Sequence, residues 1–85
     1  MDKPVAVALR YDDRLPAPFV AASGRGDLAA RLLDVARRSG VPIVEDESLA
    51  DRLICLDPGT VIPEELFPPV AAVLSFILNL ESPQG

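Results

Sequence analysis

A glycine pattern near the middle of the chain is the first candidate for chemistry. Gly24, Gly26 and Ala29 have the spacing of a dinucleotide-binding turn, and acidic residues follow at 45–46. Glycines at these positions let the backbone approach a pyrophosphate, and the helix after them supplies N–H donors. Asp27 opposes this interpretation, because it places a negative charge where the phosphate would lie. The pattern favours an ordinary turn between a strand and a helix, with nucleotide or anion binding as the alternative.

The other reactive side chains argue against catalysis. The chain has no histidine and one cysteine, which excludes Ser-His-Asp and Cys-His arrangements, an intrachain disulfide and a cysteine-rich zinc site. Cys55 stands among apolar residues without a basic neighbour, so we expect a packed, unreactive thiol. The acidic residues between 45 and 51 have the chemistry of a hard-cation site, but they fit a solvated helix start better. We predict no enzyme activity, no cofactor and no metal.

Composition indicates one small globular domain over residues 1–85, with a core at 5–80 and a frayed tail at 81–85. Of its 85 residues, 49% are apolar, enough for one compact core. The net charge of −5 argues against a nucleic-acid partner, because such binding needs a basic surface. The N-terminus lacks the pattern of a signal peptide, and the longest apolar stretch, 70–78, is about half a membrane span. These features predict a cytoplasmic protein that does not insert into the membrane.

The elements that must position these residues form an α/β pattern. Apolar runs predict strands at 5–9, 19–22 and 41–44, with a marginal edge strand at 60–62. Helical periodicity predicts helices at 27–39, over about two turns containing Leu49 and Leu53, and from Pro69 to about Leu80. We expect a small mixed β-sheet of three to four strands packed with three to four helices. Strand 19–22, helix 27–39 and strand 41–44 would then form a βαβ-like unit.

Residues at the predicted helix ends support these assignments. Asp27 opens the first helix and Gly40 follows it as a typical stop, and Asp34 and Arg38 have the spacing of a stabilising pair. Asp46, or Ser48 with Asp51, can cap the second helix.

The terminal helix is apolar around most of its circumference. Such a helix is either deeply buried or covered by a partner, and full burial is difficult in a domain of this size. Self-association through this helix is therefore one hypothesis. The stiff segment Ala17-Pro18 is a second candidate for partner contact.

Several segments, taken together, are similar to one known family. Residues 6–12, 17–18, 24–29, 41–46, 49–53, 62–66 and 70–74 occur in the same order and with nearly the same spacing. The chain resembles the cytoplasmic domain of the FlhB/YscU family, the substrate-specificity switch proteins of flagellar and type III secretion export gates. The resemblance covers roughly residues 5–80 and implies a small mixed sheet surrounded by helices.

Two departures from the family pattern affect the expected function. Transmembrane helices precede this domain in the family and are missing from this sequence. The family's self-cleaving Asn-Pro-Thr-His motif falls on residues 1–4, which are Met, Asp, Lys and Pro, and the one asparagine is Asn79. We therefore expect no self-cleavage, and the chain resembles the family's post-cleavage C-terminal fragment as a separate protein.

The resemblance also implies a binding surface. The family docks export substrates on an apolar surface of this domain, and the matching positions here are Ala17, Pro18, Ala71 and Leu74. We expect a non-enzymatic accessory that binds export substrate proteins or export-gate components, with strand addition at residues 5–11 as one docking mode. The protein would lie in the cytoplasm, peripherally at the membrane export gate. In the alternative interpretation, Leu74 is a core residue and Ala17-Pro18 only a turn.

Overall fold

Two antiparallel strands and three α-helices make up the fold in the computed structural model, which describes the backbone of residues 4–81 and the side chains of residues 4–77. The strands are β1, Val5–Arg10, and β2, Phe19–Arg25. The helices are α1, Asp27–Arg38, α2, Glu47–Leu53, and α3, Phe67–Glu81. A short 3-10 helix, Glu64–Leu66, leads directly into α3. Within the described residues, no helix has the length and apolar character needed to cross a membrane.

The pairing of β1 with β2 determines which way each backbone group of β1 points. Val5 lies opposite Arg25 and Ala8 opposite Ala22, and the register shifts between Ala8 and Leu9. The Gly26 N–H donates to the oxygen of Pro4, which precedes β1, at 2.8 Å, so the backbone groups of residues 6 and 8 are the ones that face β2. The N–H and C=O groups of residues 5 and 7 therefore point to the opposite edge of β1.

The far edge of β2 carries an isolated bridge at the place where a marginal edge strand was predicted. Phe19 and Val61 form an isolated antiparallel bridge. The Val20 N–H donates to the Thr60 oxygen at 2.9 Å, and the Ile62 N–H donates to the Pro18 oxygen at 3.0 Å. The chain thus reaches the edge of β2 near residues 60–62 as expected but forms no strand there, and β1 lies at the other edge of the sheet.

The two faces of the sheet bury different elements. Against one face α1 packs closely: Ala29 is fully buried, and a Cβ placed on Gly24 would lie 2.5 Å from Cγ of Leu28. On the other face, Val7 and Leu9 pack against the main core cluster. The buried members of that cluster are Ala17, Leu49, Leu53, Ile62, Leu66 and Val70. The strands thus lie between α1 on one side and α2 with α3 on the other.

The predicted strand at 41–44 does not form, so the described sheet has two strands rather than three to four. The Val41 N–H donates instead to the Ala36 oxygen at 2.9 Å, and Pro42 has no N–H to offer. Gly40, at φ 73°, turns the chain at the end of α1 as expected, and its N–H donates to the Arg37 oxygen. The predicted βαβ-like unit is therefore wrong: the helix end uses the backbone donor that a strand would need.

The helix ends explain where α2 and α3 begin. The Asp46 side chain caps α2 by accepting from the Leu49 N–H at 3.0 Å, which confirms one of the two predicted caps. The expected start of the last helix at Pro69 is wrong by two residues, because α3 begins at Phe67. Pro68 and Pro69 lie in its first turn, where backbone N–H groups have no partner within the helix and the missing donors cost little.

Candidate functional site

The four residues that the resemblance singled out line one narrow groove. Ala17 and Pro18 belong to the segment that enters β2, and Ala71 and Leu74 lie one turn apart on α3. The groove has a volume of about 180 Å³. The fold thus brings together two segments that are far apart in the sequence.

Burial divides these four residues between the floor and the rim of the narrow groove. Ala17 is 3% exposed and belongs to the core cluster, and Pro18 is also buried. Ala71 is exposed, and Leu74 is half-buried against the core. Leu74, which the alternative interpretation places in the core, is thus only half-buried, and Ala17, which it treats as part of a turn, is a core residue that also forms the floor of the groove.

A backbone hydrogen bond holds the floor of the narrow groove in place, and the prolines there offer no N–H donor. The Pro18 oxygen accepts from the Ile62 N–H at 3.0 Å, which ties the floor to the bridge at Val61. Pro16 and Pro18 both line the groove and have no N–H. This floor is suited to an apolar side chain and offers little to a partner that needs hydrogen bonds.

Two aromatic residues at the groove were not foreseen from the sequence. Tyr11 follows β1 and is 57% exposed, and Phe67 begins α3 and is 38% exposed. Exposed aromatic side chains beside an apolar groove are typical of binding surfaces. The signal in the sequence that could have identified them is that both are large aromatic residues next to the end of a strand or the start of a helix. Their meeting at one groove depends on the tertiary fold.

No charged residue lines the narrow groove within the described part of the chain. Its lining consists of Tyr11, Pro16, Ala17, Pro18, Ile62, Phe67, Val70, Ala71 and Leu74. In the turn that follows Tyr11, Nη2 of Arg14 lies 2.9 Å from Oδ2 of Asp12. The Arg14 N–H also donates to Oδ1 of Asp12 at 2.9 Å. These hydrogen bonds lower the pKa of Asp12, and the same side-chain contact raises the pKa of Arg14.

A second, wide groove of about 1070 Å³ runs along β1. Its lining comes from β1, the inner side of α1, residues 41–47, α2 and α3. Leu74 lines both grooves, whereas Ala71 lines the narrow groove and Ala36 lines the wide one. Substitutions at Ala71 and Ala36 can therefore separate the two surfaces.

The glycine pattern has a structural role that does not require a ligand. Gly24 lies in β2, where the Leu28 side chain occupies the space that a Cβ would need. The Gly26 N–H, a donor that a phosphate would use, is bonded to the Pro4 oxygen. Close packing thus accounts for Gly24 and a positive φ of 59° for Gly26, and nothing in the described structure supports the nucleotide alternative.

The sequence-based expectation is wrong for Cys55, whereas the acidic segment begins a helix as expected. Cys55 is exposed, with Sγ 3.6 Å from the Asp51 oxygen, so the expected packed thiol is wrong. It lies two residues beyond the last residue of α2. In the acidic segment, Asp46 caps the helix as described. No three histidine, cysteine or acidic side chains among the described residues are grouped closely enough to hold a metal ion.

Comparison with known proteins places the chain beside export-apparatus proteins. The model of the "FlhB HrpN YscU SpaS Family" matches residues 3–77. The uncharacterized protein YlqH of Bacillus subtilis is 42% identical over 77 residues, which cover 89% of this chain and 83% of YlqH. The flagellar biosynthetic protein FlhB of Helicobacter pylori is 40% identical over 77 residues, covering 89% of this chain but only 22% of FlhB. The chain thus spans about a fifth of that relative.

Solved structures show the same fold. The cytoplasmic domain of FlhB from Shewanella putrefaciens superposes with a TM-score of 0.86 at 39% identity, covering 91% of this chain and 66% of that domain. The PscU C-terminal domain superposes with a TM-score of 0.81 at 29% identity, covering 86% of this chain and 95% of that domain. The mixed α/β architecture is therefore that of the cytoplasmic domains in this group.

Proposed function

The chain belongs to the FlhB HrpN YscU SpaS family, and from this premise we propose that it is a non-enzymatic component or accessory of a flagellar or type III protein export apparatus. Similar proteins include a flagellar biosynthetic protein of Helicobacter pylori and a secretion system apparatus protein of Salmonella typhimurium. In this proposal the protein works in the cytoplasm, at the membrane export gate. A role without catalysis is in keeping with a sequence that has no histidine.

Its task would be to hold a short apolar segment of an export substrate or of a gate component. The observation that carries this proposal is the convergence of Ala17, Pro18, Ala71 and Leu74 on one uncharged groove. A volume of about 180 Å³ accommodates a large apolar side chain rather than a folded surface. Tyr11 and Phe67, both exposed at this groove, would add aromatic contact area around the inserted side chain.

Binding measurements on two neighbouring alanines test this proposal. Ala71 and Ala72 are both exposed on α3, but only Ala71 lines a groove. With purified rod or hook subunits and gate domains as partners, Ala71→Glu should weaken binding about tenfold or more, because it buries an unpaired charge against the apolar floor. Ala72→Glu adds the same charge outside the groove and should bind as the unchanged protein does.

Two outcomes would count against this function. One is a folded, unchanged protein that binds none of these export proteins. The other is equal affinity for the Ala71→Glu and Ala72→Glu proteins. Leu74→Asp is a weaker test by itself, because Leu74 packs against the core and its replacement also lowers stability.

A further inference from the structure

The turn at 12–15 lies at the rim of the narrow groove. The residues on either side of this turn, Tyr11 and Pro16, both line the groove. Asp13 is exposed and stands two residues from Tyr11, so its Cα lies within about 7 Å of a lining residue. Among the described residues, Asp13 has no basic side chain as an ion-pair partner. The turn therefore brings one free carboxylate to the rim.

The 3-10 helix before α3 brings two more carboxylates to the same rim. Glu64 and Glu65 belong to this helix and are both exposed. Ile62 and Phe67, on either side of them, line the groove. Each glutamate is two residues from one of these lining residues, so it too lies within about 7 Å of the lining. Neither glutamate has an ion-pair partner in the part of the chain that the structure describes, so both charges are open to a partner.

The basic residues near the rim do not balance these carboxylates. Arg14 is bound to Asp12, with Nη2 2.9 Å from Oδ2. Arg10 is exposed and is the one other basic residue in the two rim segments, 10–16 and 62–67. These segments together hold four acidic residues against two arginines. The rim of an uncharged groove therefore carries net negative charge.

The aromatic side chains at the narrow groove favour the same kind of partner. Tyr11 is 57% exposed and Phe67 is 38% exposed. The faces of such rings attract a guanidinium or ammonium group electrostatically. A metal ion is not an equivalent occupant, because no three acidic side chains among the described residues are grouped closely enough to hold one. Carboxylates and aromatic rings beside one apolar groove therefore point to arginine or lysine in the partner.

From these observations we infer that the narrow groove selects an extended segment of a separate polypeptide in which a large apolar residue stands one or two positions from an arginine or lysine. The apolar side chain occupies the uncharged floor, and the basic side chain reaches Asp13, Glu64 or Glu65 at the rim. An extended chain advances about 3.3 Å per residue, so two positions cover the distance from the lining to these carboxylates. The inference rests on the proposed function and deepens it by naming the chemistry of the bound segment.

Three synthetic peptides test this chemistry on the intact protein. Each has about eight residues, the length of a strand, with one phenylalanine in a background of glycine and serine. Arginine, glutamine or glutamate stands two positions away on both sides of the phenylalanine. In NMR titrations the arginine peptide should bind about three- to tenfold more tightly than the glutamine peptide, and the glutamate peptide should bind most weakly. Added salt should reduce the advantage of arginine, because exposed charges are screened.

Two pairs of exposed glutamates provide matched protein variants. Glu64→Gln combined with Glu65→Gln removes two charges at the rim and should abolish most of the advantage of the arginine peptide. Glu45→Gln combined with Glu47→Gln changes the net charge by the same amount at the wide groove, and the advantage should persist. Tyr11→Leu keeps an apolar side chain but removes the ring, so it should also reduce the advantage, whereas Tyr11→Phe should not.

The outcomes separate this inference from the proposed function. No saturable binding of the arginine peptide, equal or reversed affinities among the three peptides, or the same arginine advantage in both double variants would overturn the inference. The proposed function would still stand if export proteins bind and Ala71→Glu weakens that binding. Export proteins that do not bind, with the arginine advantage intact, would count against the proposed function alone. A mass that doubles with concentration, and no longer does so in Ala71→Glu, would overturn the inference by assigning the groove to a second copy.

Discussion

Small residues determine how closely the elements of this domain approach one another. Gly24 lets α1 pack onto β2, because the Leu28 side chain occupies the position of its missing Cβ. Ala29 is fully buried at the same contact, and Ala17 forms both part of the core and the floor of the narrow groove. At each of these positions the space available, rather than any polar group, decides which residue fits.

Substitution at Gly24 tests this close approach. Gly24→Ala should lower the free energy of unfolding by about 1–3 kcal/mol, because the added Cβ would lie 2.5 Å from Cγ of Leu28. Urea denaturation measures the loss. Adding Leu28→Ala in the same chain removes the contacts with Cγ and Cδ2, although Cβ of residue 28 stays 2.9 Å away, and should recover part of the loss. If the stability losses of the two single variants simply add in the double variant, the contact with Leu28 is not the cause of the loss in Gly24→Ala.

The turn after Tyr11 predicts a pH dependence. Hydrogen bonds from the Arg14 side chain and backbone N–H lower the pKa of Asp12 in the folded protein. Because the unfolded value is about 4, this turn stabilises the fold above that pH and loses its effect as the pH falls through the lower, folded-state pKa. Arg14→Gln should raise the pKa of Asp12 toward its ordinary value in an NMR titration. An unchanged titration midpoint in that variant would contradict the assignment.

Among the secondary-structure elements, α2 depends on one side chain at its beginning. Asp46→Ala removes the acceptor for the Leu49 N–H and should lower the free energy of unfolding by about 1 kcal/mol. Glu45→Ala removes a neighbouring exposed carboxylate that does not cap the helix and should have little effect. Thermal or urea unfolding compares the two, and equal losses would mean that charge rather than capping supports this helix.

Local sequence patterns predicted most elements because their causes are local. Helix α1 follows from its apolar periodicity, its acidic start and Gly40, and the Asp34–Arg38 pair forms at 3.1 Å as expected. The prediction at 41–44 was wrong because forming a strand also requires a partner, and the donor of Val41 is taken by the end of α1. Apolar patterning alone does not report whether a neighbouring edge is within reach.

The candidate site shows the same division between local and long-range causes. Family resemblance identified Ala17, Pro18, Ala71 and Leu74, and the fold brings them to one groove. It did not indicate that Ala17 would be 3% exposed, or that Tyr11 and Phe67 would meet there. These facts depend on how α3 packs against the segment before β2, which is a tertiary contact.

At the scale of the whole molecule, one core cluster links the sheet to both C-terminal helices. Leu53 is 4% exposed within it, and Val7 of β1 packs against the same cluster. Leu53→Ala should lower the free energy of unfolding by about 2–5 kcal/mol, measured in urea. Because the cluster joins the elements, amides of α1 should also exchange faster. Val35→Ala, at an exposed position, should change neither, and a loss confined to α2 would show that the helices unfold separately.

The prolines in the floor of the narrow groove affect the entropy of binding. Pro16 and Pro18 fix two backbone angles on either side of Ala17, and the carbonyl of Pro18 is tied to Ile62. A floor that is already ordered loses little conformational freedom when it is occupied, so the entropic cost falls mainly on the incoming segment. Cyclising or otherwise stiffening such a segment should therefore raise its affinity more than enlarging it would.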